Sequence, residues 1–197
     1  MKTIILAGGQ SRRMGQNKSL MKLEGIRLID RIIHECMPIS EKVILVSNHD
    51  LADIPEEVLM VADFPPFKGE GPLAGIWTGL TLAKEGTCLV VACDMPFISK
   101  SFARKFEKMM LEKKVDAVIP VIAGRMHPLF AVYHTRIKDQ IYQTLLNGKR
   151  SVRSMIADIH VEFYPMDEYE KILWNMNTMN DYIQAGKMTD RGVLDEL

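Results

Sequence analysis

The stretch Thr3-Ile4-Ile5-Leu6-Ala7-Gly8-Gly9-Gln10-Ser11-Arg12-Arg13-Met14-Gly15-Gln16-Asn17-Lys18 decides the fold. Thr3 to Ala7 is a short apolar run rich in β-branched side chains, the pattern of a strand covered on both faces. Gly8 and Gly9 then free the backbone to turn sharply and present its N–H groups. Arg12, Arg13 and Lys18 place three cations in the same loop, and Gly15 permits a second turn. A strand that feeds an N–H-rich, cationic loop ahead of a helix is a means of holding phosphates. The spacing is not that of a P-loop, because Gln16 and Asn17 separate Gly15 from Lys18. It is not G-x-G-x-x-G either, because Gly8 and Gly9 are adjacent. The plainer reading is a surface turn that carries basic residues; three cations behind an opening strand favour phosphate.

Outward from that loop, strands alternate with helices. Leu28, Ile29, Ile32, Ile33 and Cys36 keep helical spacing, and Pro38 stops the helix. Lys42 to Val46 is a second buried strand, ending in the polar cluster Ser47-Asn48-His49-Asp50. Val58 to Ala62 is a third, ending at Asp63 before Pro65 and Pro66. Ligands of open α/β sheets sit at the carboxyl ends of strands, so Asn48 and Asp63 fall where a nucleotide could be read. Both residue types also favour ordinary turns. Pro72 opens a helix in which Gly71, Gly75 and Gly79 are four apart. An interior helical glycine costs about 1 kcal/mol relative to alanine, so something packs closely on this stripe, either the sheet or a ligand.

Thr87 to Cys93 is the most apolar strand and delivers Asp94 at its carboxyl end. A carboxylate there is costly unless paired or metal-bound. Capping the next helix is its other possible task, but Ser99 can cap that helix itself. Mg²⁺ takes one or two carboxylates plus substrate phosphates, which suits Asp94. A helix from Ser99 to Lys113, a strand from Asp116 to Val121 and a strand from Leu129 to Tyr133 follow. Between the strands, Arg125 and His127 are either solvated loop residues or contacts to a second substrate. The helix through Ile137, Ile141 and Leu145 ends at Gly148. Lys149, Arg150 and Arg153 read as a solvated basic face or a second anion site, with Ser151 capping a short helix. Val161 to Tyr164 is a late strand. Asn175 and Asn177 fall on one side of an extended segment, and Asn180 is positioned to cap a last helix. At least five strands alternating with helices predict an α/β fold, a doubly wound, mostly parallel sheet with helices on both faces. Residues 1–187 read as one domain and 188–197 as a tail.

Composition narrows the functional classes. The chain has 197 residues, 47% hydrophobic and 25% charged, with no formal net charge. That balance speaks against a broad nucleic-acid footprint. No apolar run approaches the roughly 20 residues of a membrane helix, and no leader pattern precedes Thr3, so the cytoplasm is the expected location. Cys36, Cys88 and Cys93 contain no CxxC and read as buried small hydrophobes, with Cys88 and Cys93 facing opposite sides of a strand. There is no convincing Ser-His-Asp or Cys-His set.

The segment from Leu6 to Lys18, LAGGQSRRMGQNK, resembles the signature loop of the molybdenum cofactor guanylyltransferases, within the wider nucleotidyltransferases. Gly71 to Gly75 (GPLAG), Ala92 to Phe97 (ACDMPF), the Arg125-x-x-Pro128-Leu129-x-Ala131-x-Tyr133 segment and Asn175 to Thr178 (NMNT) extend the resemblance over Thr3 to Thr178. It implies a Rossmann-like fold of the nucleotide-diphospho-sugar transferase type, with one or two late strands antiparallel. It implies transfer of GMP from GTP to the phosphate of molybdenum-bound molybdopterin, with release of pyrophosphate. On that basis Lys18, Asp94, Arg12 and Arg13 are the catalytic candidates. Leu6, Ala7, Gly8, Gly9, Lys18, Asn48, Asp63, Gly75 and Asp94 would contact the nucleotide, and Asp94 would hold Mg²⁺. Arg125, Asn175 and Asn177 would face the pterin acceptor, and cofactor-delivery proteins of the molybdenum pathway are plausible partners. Asn17 stands where the family commonly has Asp. An amide keeps the hydrogen-bonding shape and removes a charge, which implies altered metal dependence rather than loss of function. The alternatives are CTP as donor to molybdopterin, an NTP donor to a sugar phosphate, or a non-catalytic nucleotide-binding protein.

Overall fold

A computed structural model describes residues 1–8 and 20–189. The opening run forms β1 (Lys2–Leu6), and a small hairpin follows, β2 (Lys22–Leu23) and β3 (Ile26–Arg27). Then come α1 (Leu28–Cys36), β4 (Val43–Val46), β5 (Val58–Val61), α2 (Pro72–Ala83), β6 (Thr87–Ala92) and α3 (Lys100–Lys113). The second half holds β7 (Ala117–Ile122), β8 (Arg125–Met126), β9 (Phe130–His134), α4 (Lys138–Leu146), α5 (Val152–Ile156), β10 (Val161–Pro165) and α6 (Met179–Thr189).

The main sheet has the order β10-β7-β9-β6-β1-β4-β5, with β8 paired to β7. Four of its pairings are parallel: β1 with β4, β1 with β6, β4 with β5, and β7 with β10. Strand β9 runs antiparallel between β6 and β7, and β8 runs antiparallel to β7. The sheet is therefore mixed and mostly parallel, with two late strands reversed, as the resemblance implies.

Period-2 alternation in β1 sends its side chains to two cores. Ile5 joins Ile29, Ile32, Phe102 and Phe106 under α1 and α3. Ile4 and Leu6 join Leu73, Ile76, Leu80, Ile141 and Met155 under α2, α4 and α5. Cys88 and Cys93 fall in opposite cores, and burial raises the Cys88 thiol pKa to about 12, so it behaves as an apolar side chain. A third, smaller cluster of Leu23, Leu28, Phe97, Met176 and Ala185 ties the hairpin and α6 to the carboxyl edge of the sheet.

Local chemistry explains the ends of the elements. Ser99 caps α3, accepting the Phe102 N–H, and Ser151 caps α5, accepting the Arg153 N–H. At α6 the cap differs from expectation. Thr178, not Asn180, is the capping residue: its hydroxyl accepts the Asp181 N–H at 3.2 Å. Asp181 Oδ2 accepts the N–H groups of Thr178 and Asn177 at 2.8 and 3.0 Å, which completes a reciprocal capping box.

The glycine stripe of α2 divides between the two readings. A Cβ on Gly79 would lie 2.5 Å from Ile4 Cγ2, inside the fully buried core. Gly79 thus serves the packing of α2 on β1. A Cβ on Gly75 would lie 2.9 Å from the end of the Leu6 side chain and 3.5 Å from Asp63 Oδ1, at the edge of a cavity. Gly79→Ala is therefore expected to destabilise by at least about 1 kcal/mol, overpacking outweighing the gain in helix propensity. Gly75→Ala is expected to shift the melting temperature less and to impair ligand binding instead. Thermal denaturation of both variants, with nucleotide titration of the second, checks this pair of outcomes.

Candidate functional site

The chain order reverses between β1 and β6. From β1 it moves outward through β4 to β5, then returns to place β6 on the other side of β1. Such a switch point opens a crevice at the carboxyl ends of the strands. Here Leu6 is paired with Ala92, and the Cys93 N–H donates to Leu6 O at 3.1 Å. Asp94 therefore sits beside the start of the glycine loop, half-buried just beyond the end of β6.

A cavity of about 580 Å³ opens at this edge, lined by Leu6 at the end of β1, Gly8 just beyond it, Asn48 and His49 beyond β4, Asp63 beyond β5, and Gly69, Gly71 and Gly75 around the start of α2. Five candidates widely separated in sequence (Leu6, Gly8, Asn48, Asp63 and Gly75) share this wall. Ala7 does not line it; it is fully buried, and its N–H donates to Val46 O at 2.9 Å. Gly9, Arg12, Arg13, Asn17 and Lys18 lie outside the described residues.

Asn48 and Asp63 are locked together. The Asn48 amide donates to Asp63 Oδ2 at 2.6 Å, and Asn48 Oδ1 accepts the Asp63 N–H at 3.1 Å. The Gly69 N–H also donates to Asp63 Oδ2, at 3.0 Å. With Oδ2 held twice, the other carboxylate oxygen is directed past Gly75 at the cavity rim. An ionised carboxylate only accepts hydrogen bonds, so this wall suits N–H or O–H donors of a ligand.

A second cavity, about 570 Å³, is lined by Arg125, His127, Glu170, Trp174, Asn175, Asn177 and Asp181 among others. The three acceptor candidates, Arg125, Asn175 and Asn177, are thus brought into one concavity. Asn175 Oδ1 is buried with no hydrogen-bond partner. Between the two amides, the Met176 N–H donates to Asp94 O at 2.9 Å, which joins the second cavity to the candidate metal residue. Burial, reinforced by the positive charge of Arg125, lowers the pKa of His127, so its imidazole is neutral at pH 7. Trp174 and Gly69 escape sequence reasoning. Adjacency to the asparagines was the signal for Trp174, and the backbone torsion of Gly69 left none.

Asp94 lines neither cavity; as a hard oxygen donor next in the chain to Cys93, which bonds Leu6 in the wall of the first, it fits the chemistry of Mg²⁺. Among the described residues no group of three or more His, Cys, Asp or Glu forms a protein-only metal cage. A magnesium ion here would take most of its other ligands from substrate phosphates and water. No helix among the described residues is long and apolar enough to cross a membrane.

A mixed, mostly parallel sheet with a carboxyl-edge crevice at its switch point defines the class, an α/β protein of nucleotide-binding architecture. The model of the MobA-like NTP transferase domain matches residues 3–163. A probable molybdenum cofactor guanylyltransferase of Bacillus cereus (strain G9842) is 34% identical over 193 residues, covering 93% of this chain and 94% of that protein. Its Bacillus anthracis counterpart is 33% identical with the same coverage. The molybdopterin-guanine dinucleotide biosynthesis protein A of Archaeoglobus fulgidus superimposes with a TM-score of 0.85 at 26% identity, covering 97% of this chain and all of that one. The 2-C-methyl-D-erythritol 4-phosphate cytidylyltransferase of Thermus thermophilus shares the fold, with a TM-score of 0.71 at 12% identity, covering 96% of this chain and 98% of that one. The chain belongs to the MobA-like NTP transferase family.

Proposed function

We propose that this nucleotidyltransferase transfers GMP from GTP to the phosphate of molybdenum-bound molybdopterin and releases pyrophosphate. The observation that carries this reading is the position of Asp94 between the elements that wall two cavities. Its neighbour Cys93 bonds Leu6 in the wall of the first, and its own carbonyl accepts the N–H of Met176, between Asn175 and Asn177 of the second. Asp94 lines neither cavity itself, and a donor nucleotide in one and an acceptor in the other would approach each other across it. The names and similarity of the relatives supply the guanylyl donor and the pterin acceptor.

In this mechanism a phosphate oxygen of the acceptor attacks the α-phosphorus of GTP. The new P–O bond forms as the bond to the bridging oxygen of the β-phosphate breaks, and pyrophosphate leaves with the electron pair. The nucleophile is already largely ionised at neutral pH, because the second pKa of a phosphate monoester is about 6, so no side chain need act as general base. A neutral, partly buried His127 is in keeping with that economy. Catalysis then rests on positioning and charge stabilisation.

The backbone from Leu6 to Gly9, with Asn48, holds the base and ribose, and Asp63 accepts from the sugar side. From the sequence, Lys18 with Arg12 or Arg13 would neutralise charge on the α-phosphate and the leaving pyrophosphate. Asp94 would hold Mg²⁺, which would supply neutralisation of phosphate charge. Arg125, Asn175 and Asn177 bind the pterin, with Asn175 Oδ1 open to an N–H of the ligand.

The direct test is incubation with molybdenum-bound molybdopterin and each nucleoside triphosphate, followed by detection of pyrophosphate and of the dinucleotide product. Product with GTP alone supports the proposal. Preferential product with CTP would transfer the protein to a cytidylyl activity. GTP binding without pyrophosphate would indicate a non-catalytic nucleotide-binding protein.

A further inference from the structure

We infer that Arg150, in the connection from α4 to α5, is a positioning residue for the first cavity; the inference rests on reading that cavity as the nucleotide site. Its sequence context reads as a solvated basic face or an anion site, and its contacts fit neither. Arg150 Nη1 donates to Leu145 O, in the last turn of α4, at 2.5 Å. Its Nε lies 2.6 Å from Glu70 Oε2. That oxygen is buried and has no hydrogen-bond partner, so the guanidinium charge is what compensates it. The guanidinium carbon also lies 5.8 Å from the centre of the Phe67 ring.

These contacts fix the loop that walls the cavity. Phe67 is wedged edge-on against Trp77 of α2 and Tyr142 of α4, with ring centres 5.4 and 5.6 Å away. The Glu70 N–H donates to Phe67 O at 3.1 Å. Glu70 is flanked by Gly69 and Gly71, with φ of 78° and 91°, and both glycines line the cavity. The Gly69 N–H in turn holds Asp63 Oδ2. A continuous path of contacts therefore runs from Arg150 through Glu70 and Gly69 to the carboxylate in the cavity wall.

Without the guanidinium, the half-buried Glu70 carboxylate keeps a buried oxygen, Oε2, with no compensating charge, an unfavourable state. It is relieved when Glu70 turns out to water. The two glycines beside it offer little backbone resistance, and the Gly69 N–H leaves Asp63 as they move. The loss falls on nucleotide binding. Chemistry at the α-phosphate involves other residues and is spared.

Arg150→Ala is expected to raise KM for GTP at least about tenfold while kcat stays within about twofold, the signature of lost uniform binding. In the absence of nucleotide, the Gly69 amide should exchange its hydrogen at least about tenfold faster, because the bond that protects it opens locally. Arg150→Lys keeps the charge without the planar fork and should show a smaller rise in KM. Glu70→Ala breaks the same tie from the loop side, and combining it with Arg150→Ala should add little. Unchanged Gly69 exchange in folded Arg150→Ala overturns the inference, as does a fall in kcat at constant KM. If Arg150→Ala does not fold, Glu70→Ala is judged by the same criteria. If the unaltered protein binds no GTP, the proposed function fails, and amide exchange still decides whether Arg150 orders the loop.

Discussion

Asp94→Ala is expected to lower kcat for guanylyl transfer by a factor of at least about 10², with the fold intact, which is the usual cost of removing one fixed electrostatic group from a reacting centre. The main-chain link at this position survives the substitution: the Met176 N–H bonds to the Asp94 carbonyl, which alanine retains. Capping of α3 is also unaffected, since Ser99 performs that task. Steady-state pyrophosphate release at saturating GTP and Mg²⁺, beside the circular dichroism of the variant, separates loss of chemistry from loss of structure. Near-normal turnover in a folded Asp94→Ala protein would remove this residue from the reaction.

Lys18→Ala should have an effect of similar size, again about 10² or more in rate. Lys18 lies outside the described residues, and its role follows from the sequence. An ammonium group in a glycine-rich loop beside β1 is suited to charge that develops on the α-phosphate and on departing pyrophosphate. The effect should therefore depend on the phosphates of the ligand. GTP should bind the variant more weakly, whereas guanosine, which has no phosphates, should bind as it does to the unaltered protein. A parallel loss for guanosine would mean that the substitution has damaged the pocket rather than removed a phosphate contact. Arginine is not a neutral replacement, because its planar fork differs from a compact ammonium in size and donor geometry.

Much of the sheet was legible because its strands are nearly uninterrupted apolar runs, and burial on both faces demands that pattern. The positions of Asn48, Asp63 and Asp94 just beyond those runs were legible for the same reason, but a role for Asn48 and Asp63 beyond ordinary turns came from the family resemblance. The β2–β3 hairpin was not. Each strand has two residues, too few for period-2 alternation, and its turn relies on positive φ at Glu24 and Gly25. The cap of α6 was misassigned because Thr178, Asn180 and Asp181 are all capable capping residues, and backbone geometry selects Thr178.

Other features depend on long-range contacts that spacing cannot reveal. Gly75 and Gly79 look equivalent in sequence. They differ because Leu6 and Asp63 lie beneath one, and Ile4 beneath the other. Arg150 looked like one member of a basic cluster, since its partner Glu70 is remote in sequence. The reversed direction of β9 came from the family resemblance, because an apolar strand carries no mark of its direction. The second cavity was only half visible: the paired amides were evident, but the approach of Arg125 and Trp174 is a product of tertiary structure.

Magnesium-assisted binding of a guanylyl donor at the carboxyl edge of β1, β4 and β6 is open to calorimetric titration with GTP, CTP, ATP and UTP, each with and without Mg²⁺. GTP is expected to bind most tightly, with an affinity that rises when Mg²⁺ is present. Preference for another nucleotide, or no binding by any of the four, would contradict it.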